Sequence, residues 1–106
     1  MRRLVYRILT GMGHTVQLAE DGVKGLAAYR RTHPDLVITD MVMPEAEGIE
    51  TIWEIRREAP TVPIVAMTAH GDSYLRQAIV LGATASLEKP FQPDELQTLV
   101  DRLLIA

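Results

Sequence analysis

The 106 residues predict an α/β domain, a parallel sheet with helices on both faces. Two observations carry that reading. Apolar spacing switches repeatedly between helical and strand-like periods, in the order α-β-α-β-α-β-α-β-α. The connections are short, and strict alternation with short connections implies a doubly covered parallel sheet with right-handed crossovers.

In chain order, Leu4, Val5, Ile8, Leu9 and Met12 recur at helix spacing, and Gly11 and Gly13 stop that helix. Residues 14–19 alternate, with Val16 and Leu18 set against polar neighbours, and read as a short strand. Asp21-Gly22 opens a second helix to about Thr32, with Val23, Leu26 and Ala27 inward. Pro34 separates it from residues 35–40, whose apolar, β-branched centre suits a strand covered on both faces. A loop over 41–47 contains Pro44. A third helix spans 48–59, with Ile49, Ile52 and Ile55 toward the core, and Pro60 and Pro63 bracket its end. Residues 62–67 form the next buried strand. A fourth helix covers 72–81 and ends at Gly82, and a short strand follows over 84–87. Pro93 stands near the start of the last helix, where its missing N–H costs little. Asp94 and Glu95 suit the positive end of the helix dipole, and Leu96, Leu99, Val100, Leu103 and Leu104 make its apolar face.

Composition narrows the function. The apolar fraction of 47% supports a core and excludes a disordered chain. No apolar run approaches the roughly 20 residues that span a bilayer. The opening Met1-Arg2-Arg3-Leu4 lacks a signal-peptide core, and a cytosolic protein fits. Without cysteine there are no disulfides, thiolate nucleophiles or Cys-zinc sites. A net charge of −3 gives no basis for bulk nucleic-acid binding. His14, His33 and His70 show no ligand spacing and read as surface residues.

Ligands of parallel sheets bind outside the carboxyl ends of the strands. Asp40 closes one strand, Thr68 closes the next, and Lys89 follows the last. A carboxylate, a hydroxyl and an ammonium at one rim can handle a phosphoryl group. The carboxylate would be nucleophile, the hydroxyl would donate to a phosphoryl oxygen, and the ammonium would neutralise charge. Each residue alone has an ordinary role as cap, local hydrogen bonder or solvated charge. Their convergence favours the functional one.

Asp35-Leu36-Val37-Ile38-Thr39-Asp40-Met41-Val42-Met43-Pro44 resembles the phosphoacceptor strand and loop of the receiver domains of bacterial two-component response regulators. Gly48, Val65-Ala66-Met67-Thr68-Ala69, Leu81-Gly82-Ala83 and Lys89-Pro90-Phe91 resemble further motifs of that family, at fitting spacing across nearly the whole chain. The resemblance implies a flavodoxin-like fold of strand order 2-1-3-4-5. It implies that Asp40 takes a phosphoryl group from a histidine kinase or phosphotransferase, giving an aspartyl phosphate. Thr68 would rotate toward that group and Lys89 would pair with it. Asp40 and the backbone carbonyl of Val42 would be Mg²⁺ ligands, and the Lys89–Pro90 bond would be cis.

Two departures qualify this expectation. Family members begin with a further, central strand ending in consecutive acids that hold the Mg²⁺. Here the sequence opens on the first helix, and that acidic pair is absent. Glu20-Asp21 aligns with a later turn and does not inherit the metal role. Mg²⁺ is usually anchored by carboxylates, so its affinity and the phosphorylation of Asp40 are expected to be poor. Without a central strand its neighbours would keep unpaired backbone groups. Either residues preceding Met1 are missing from the sequence, the favoured reading, or the gap is filled by rearrangement or by a strand-sharing dimer. The second departure is Ser86, where many relatives carry a Tyr or Phe that moves with the threonine.

The expected function is that of a phosphoacceptor receiver, not an enzyme, which switches the binding of a downstream protein through its last helices. A non-phosphorylated pseudo-receiver used for its surface is the alternative. A small phosphoryl-processing enzyme is a third reading, disfavoured because no Gly-rich phosphate loop is present.

Overall fold

The computed structural model describes residues 2–19, 22–40, 47–68, 79 and 82–104, without the side chains of Arg2 and of 47–49. Among the described residues the elements run α1 (Arg2–Gly11), α2 (Gly22–Thr32), β1 (Val37–Asp40), α3 (Glu47–Glu58), β2 (Ile64–Thr68), β3 (Ala85–Glu88) and α4 (Pro93–Leu104). The three strands form a parallel sheet in the order β1-β2-β3. The helix expected over 72–81 lies almost wholly outside the described residues.

Side-chain alternation on β2 divides the core. Val65 and Met67 join Val5, Ile8 and Leu9 of α1 and Leu96, Leu99 and Val100 of α4. Ile64 and Ala66 join Tyr29 of α2 and Ile52 and Ile55 of α3. The helices thus form one layer on each face, and every residue of β2 is buried, as a central strand requires.

Helix ends follow local chemistry. Gly13 adopts φ 93°, its N–H donates to the Thr10 carbonyl, and the His14 N–H donates to the Leu9 carbonyl. That is a Schellman stop, which needs a left-handed residue where α1 ends. At the end of α2, His33 takes the left-handed conformation at φ 47° and its N–H donates to the Tyr29 carbonyl. On α4, Pro93 occupies the first helical position, and Glu95 Oε1 accepts from the Gln92 N–H at 3.0 Å, half of a capping box.

The structure corrects two expectations. Residues 14–19 are not in a strand. In the expected order that segment pairs only with the central strand, and among the described residues no strand lies beside it. The inward face of α2 is also different. Val23 is 79% exposed and Ala27 is exposed, while Leu26 is half-buried and Tyr29 is buried. The helix turns a stripe through Gly22, Gly25 or Leu26, and Tyr29 inward, which is also helical spacing but one residue out of phase with Val23.

A bidentate ion pair links the two helices of one layer. Arg30 donates through Nε and Nη2 to Glu58, at distances down to 2.8 Å. The hydrogen bond from Arg30 and its positive charge hold the Glu58 carboxyl below its ordinary value of 4.5. A depressed carboxyl pKa stabilises the fold above the unfolded value, and the effect disappears as pH falls through the folded value. Glu58→Gln should therefore lower the thermal midpoint at pH 7, and the difference from wild type should vanish in melts recorded well below pH 4.5. Because the pair is exposed, added salt should shrink the difference as well.

Arg56 joins α3 to the turn before β3. Its guanidinium donates to the carbonyls of Gly82 (2.7 Å from Nη2) and Ala59 (2.9 Å from Nη1). Gly82 lies at φ 120°, and a Cβ there would come 2.8 Å from Cγ of Arg56. Gly82→Ala combines backbone strain with that clash, and a loss of about 1–3 kcal/mol in urea unfolding is expected.

Candidate functional site

The carboxyl ends of the three strands bring the candidate residues together. Register places Asp40 opposite Met67 and Thr68 opposite Glu88. Lys89 is fixed just beyond β3, its N–H donating to the Thr68 carbonyl at 2.7 Å. From there its ammonium reaches across the sheet to Asp40, with Nζ 3.0 Å from Oδ1 and 2.9 Å from Oδ2. These are charge-assisted hydrogen-bond lengths. The two side chains are 18% and 24% exposed, so the pair is largely shielded yet open to solvent on one side. Thr68 is 1% exposed between them on the central strand. The Lys89–Pro90 bond is cis.

Chemically, this rim presents a carboxylate already beside a cation, with a hydroxyl-bearing residue on the intervening strand. The ammonium can follow negative charge that develops on a group joined to the carboxylate, and the shielding strengthens that attraction. Ser86 stands on β3 opposite Ala66 and is half-buried. Val42 lies outside the described residues, as do Glu20, Asp21 and His70. His14 is half-buried, and His33 is exposed with its ring edge-on to Tyr29 at 5.6 Å. Arg56, which ties α3 to the turn before β3, carried no sequence signal, because its partners are backbone carbonyls and one of them, Gly82, is distant in sequence.

Residues 1–101 match the family model for the response regulator receiver domain. The chain belongs to that family. Among curated proteins it is 36% identical over 105 residues to a probable transcriptional regulator, ycf27, of Cyanophora paradoxa, and 35% identical over 105 residues to the DNA-binding transcriptional regulator NtrC of Salmonella typhimurium. Those matches cover 98% of this chain but 44% and 22% of the relatives, so it spans less than half of their length. Among solved structures, the receiver domain of NtrX from Brucella abortus superposes with a TM-score of 0.91 at 34% identity, over 97% of this chain and 88% of that one. The receiver domain of sensor histidine kinase PA1611 from Pseudomonas aeruginosa, solved with magnesium in its active-site cleft, gives 0.89 at 27% identity, over 99% and 88%. The fold is accordingly the flavodoxin-like one of receivers, and receivers are signalling domains.

Receiver domains generally depend on Mg²⁺. The described residues of this receiver do not assemble a site for it. They hold no group of three or more His, Asp or Glu side chains able to share an ion. Asp40 has both carboxylate oxygens engaged by Lys89. One carboxylate in that state is a poor anchor for an ion that demands near-octahedral oxygen coordination. Among the described residues, no helix is long and apolar enough to cross a membrane.

Proposed function

We propose that this receiver accepts a phosphoryl group on Asp40 from a histidine kinase or phosphotransferase of a cytoplasmic two-component system, and that the acyl phosphate changes how a downstream protein docks. The carrying observation is the Asp40–Lys89 pair at 2.9 Å beside buried Thr68 on a receiver fold. In the transfer, an Asp40 oxygen attacks phosphorus, the bond from phosphorus to the donor breaks, and the donor leaves with its electron pair. Lys89 then faces a phosphoryl group instead of a bare carboxylate, and the Thr68 hydroxyl donates to one of its oxygens. Docking of a downstream partner would follow from the shifted population of these two arrangements.

Magnesium enters this proposal as a weakness. Asp40 and the Val42 carbonyl are the ligands carried over from the family, and Lys89 engages both carboxylate oxygens of Asp40. Phosphoryl transfer rests largely on positioning and charge neutralisation, so a poor metal site slows it. Beryllofluoride titration, followed through the Thr68 amide resonance, tests the reading. Saturation that needs Mg²⁺ well above the concentrations typical of receivers supports a weak phosphoacceptor. Saturation at ordinary Mg²⁺ would contradict the weak-metal part. No response at any Mg²⁺ concentration favours the alternative, a pseudo-receiver that works through its surface alone, for which Ser86 is the supporting observation.

A further inference from the structure

Strand β3 has little of its own to fix its register. It has four residues, and Leu87 is its only large apolar side chain. Ala85 is small, and Ser86 and Glu88 are polar. Side-chain alternation in so short a strand specifies pairing weakly. The position of Lys89 nevertheless depends on that pairing. A slip of one residue would move it about 3.3 Å along the sheet and turn it to the other face. Its ammonium, now 3.0 Å and 2.9 Å from the two Asp40 oxygens, would lose that contact.

The ladder is held at both ends. At the carboxyl edge the Lys89 N–H donates to the Thr68 carbonyl at 2.7 Å. At the amino edge Thr84 engages both backbone groups of Ile64. Its N–H donates to the Ile64 carbonyl at 2.7 Å, and its hydroxyl accepts from the Ile64 N–H at 3.0 Å. In a regular parallel ladder that N–H would go to a backbone carbonyl. A side chain has taken over the first rung. Arg56 holds the chain just ahead of it. Its Nε and Nη2 donate to the Gly82 carbonyl at 3.0 Å and 2.7 Å, its Nη1 donates to the Ala59 carbonyl at 2.9 Å, and its Nη2 lies 3.4 Å from Thr84 Oγ1. The root of this clamp is itself fixed, because Ile52 and Ile55 of α3 are buried against Ile64 and Ala66 of β2. The rigid guanidinium fork thus measures the start of β3 against a helix docked on the neighbouring strand.

We infer that Arg56, with Thr84, is the register lock of β3, and so a positioning residue that sets Lys89 against Asp40 from the opposite edge of the sheet. Its part in phosphoryl transfer rests on the phosphoacceptor reading. Its effect on the contact between Lys89 and Asp40 does not.

Arg56→Gln in the full chain tests the lock, well below the thermal midpoint and with two readouts. One is the nuclear Overhauser contact between the Lys89 ε-methylene and the Asp40 β-methylene. The other is the rate of labelling by acetyl phosphate. The contact should weaken, and the rate should fall at least about fivefold, as small misplacements of a charged group do. In a Lys89→Ala background the same substitution should cost nothing further, because the residue it acts through is gone. Ile52→Val, which lowers stability on the same helix without touching the lock, should change neither readout. An unchanged contact in Arg56→Gln would overturn the inference, and so would an equal loss of labelling with and without Lys89. Full rescue by Arg56→Lys, which restores the charge but not the fork, would overturn it as well. If Arg56→Gln does not fold, Thr84→Val, which keeps the shape and removes the hydroxyl, carries the same comparisons. If wild type takes no label, the phosphoacceptor reading fails, and the Overhauser contact alone decides whether Arg56 positions Lys89.

Discussion

Asp40→Asn should abolish the uptake of label from radiolabelled acetyl phosphate while leaving the protein folded. The amide keeps the size and planar shape of the carboxylate and can still fill the position beside Lys89. It has no anionic oxygen to attack phosphorus, so on the proposed mechanism the acyl phosphate cannot form. On the proposed reading labelling of wild type is slow, and the assay therefore uses long incubations at high Mg²⁺. The decisive comparison is the ratio of the two proteins, with circular dichroism confirming that both are folded. Label that persists on the asparagine variant would place the acceptor elsewhere and overturn the assignment. Lys89 is the control for the surroundings. Lys89→Ala leaves the nucleophile but leaves Asp40 without its cation, and labelling should fall without vanishing.

Leu96→Ala should be the most damaging of the single truncations for stability. Leu96 is 0% exposed on α4, in the core that α1, β2 and β3 share. Removing its side chain loses transfer energy and opens a cavity among neighbours held by the sheet. Such truncations cost about 2–5 kcal/mol, against a total stability of roughly 5–15 kcal/mol for a domain. A small domain whose sheet has three described strands sits toward the low end of that range. The expected outcome is a partly or wholly unfolded variant at 37 °C, read from a urea melt against wild type. Leu96→Met, which conserves volume, should cost under about 1.5 kcal/mol. A loss with alanine no larger than that of the methionine variant would show that the site collapses without a cavity.

Much of the fold was legible because its signals are local. Ile52 and Ile55 fall on the buried side of α3 as their spacing predicts, and Leu96, Leu99 and Val100 do the same on α4. The rim was legible because Asp40 and Thr68 each end a strand and Lys89 directly follows one. The misreadings have one kind of cause: a non-local neighbour decided the outcome. Residues 14–19 carry a strand pattern, yet a strand exists only when something pairs with it. Val23 has the right character for a core, but α2 rotates to bring Tyr29 inward against Ile52 and Ile55. Arg56 binds carbonyls 26 positions away at Gly82, and no spacing in the sequence announces that. The ion pair of Asp40 with Lys89 bridges 49 positions and follows only once the strand ends are set side by side.

The division of β2 between two side-chain sets has a consequence for cooperativity. Both helical layers hold the same five-residue strand, one gripping Val65 and Met67 and the other Ile64 and Ala66. If one layer loosens, the strand loses half of its support, and the opposite layer is weakened although none of its own contacts has been touched. The two layers therefore melt together, as a single thermodynamic unit joined at one seam. The amides of β2 should be the last in the molecule to exchange, at the free energy of global unfolding, and those along the outer edge of β1 among the first of any strand.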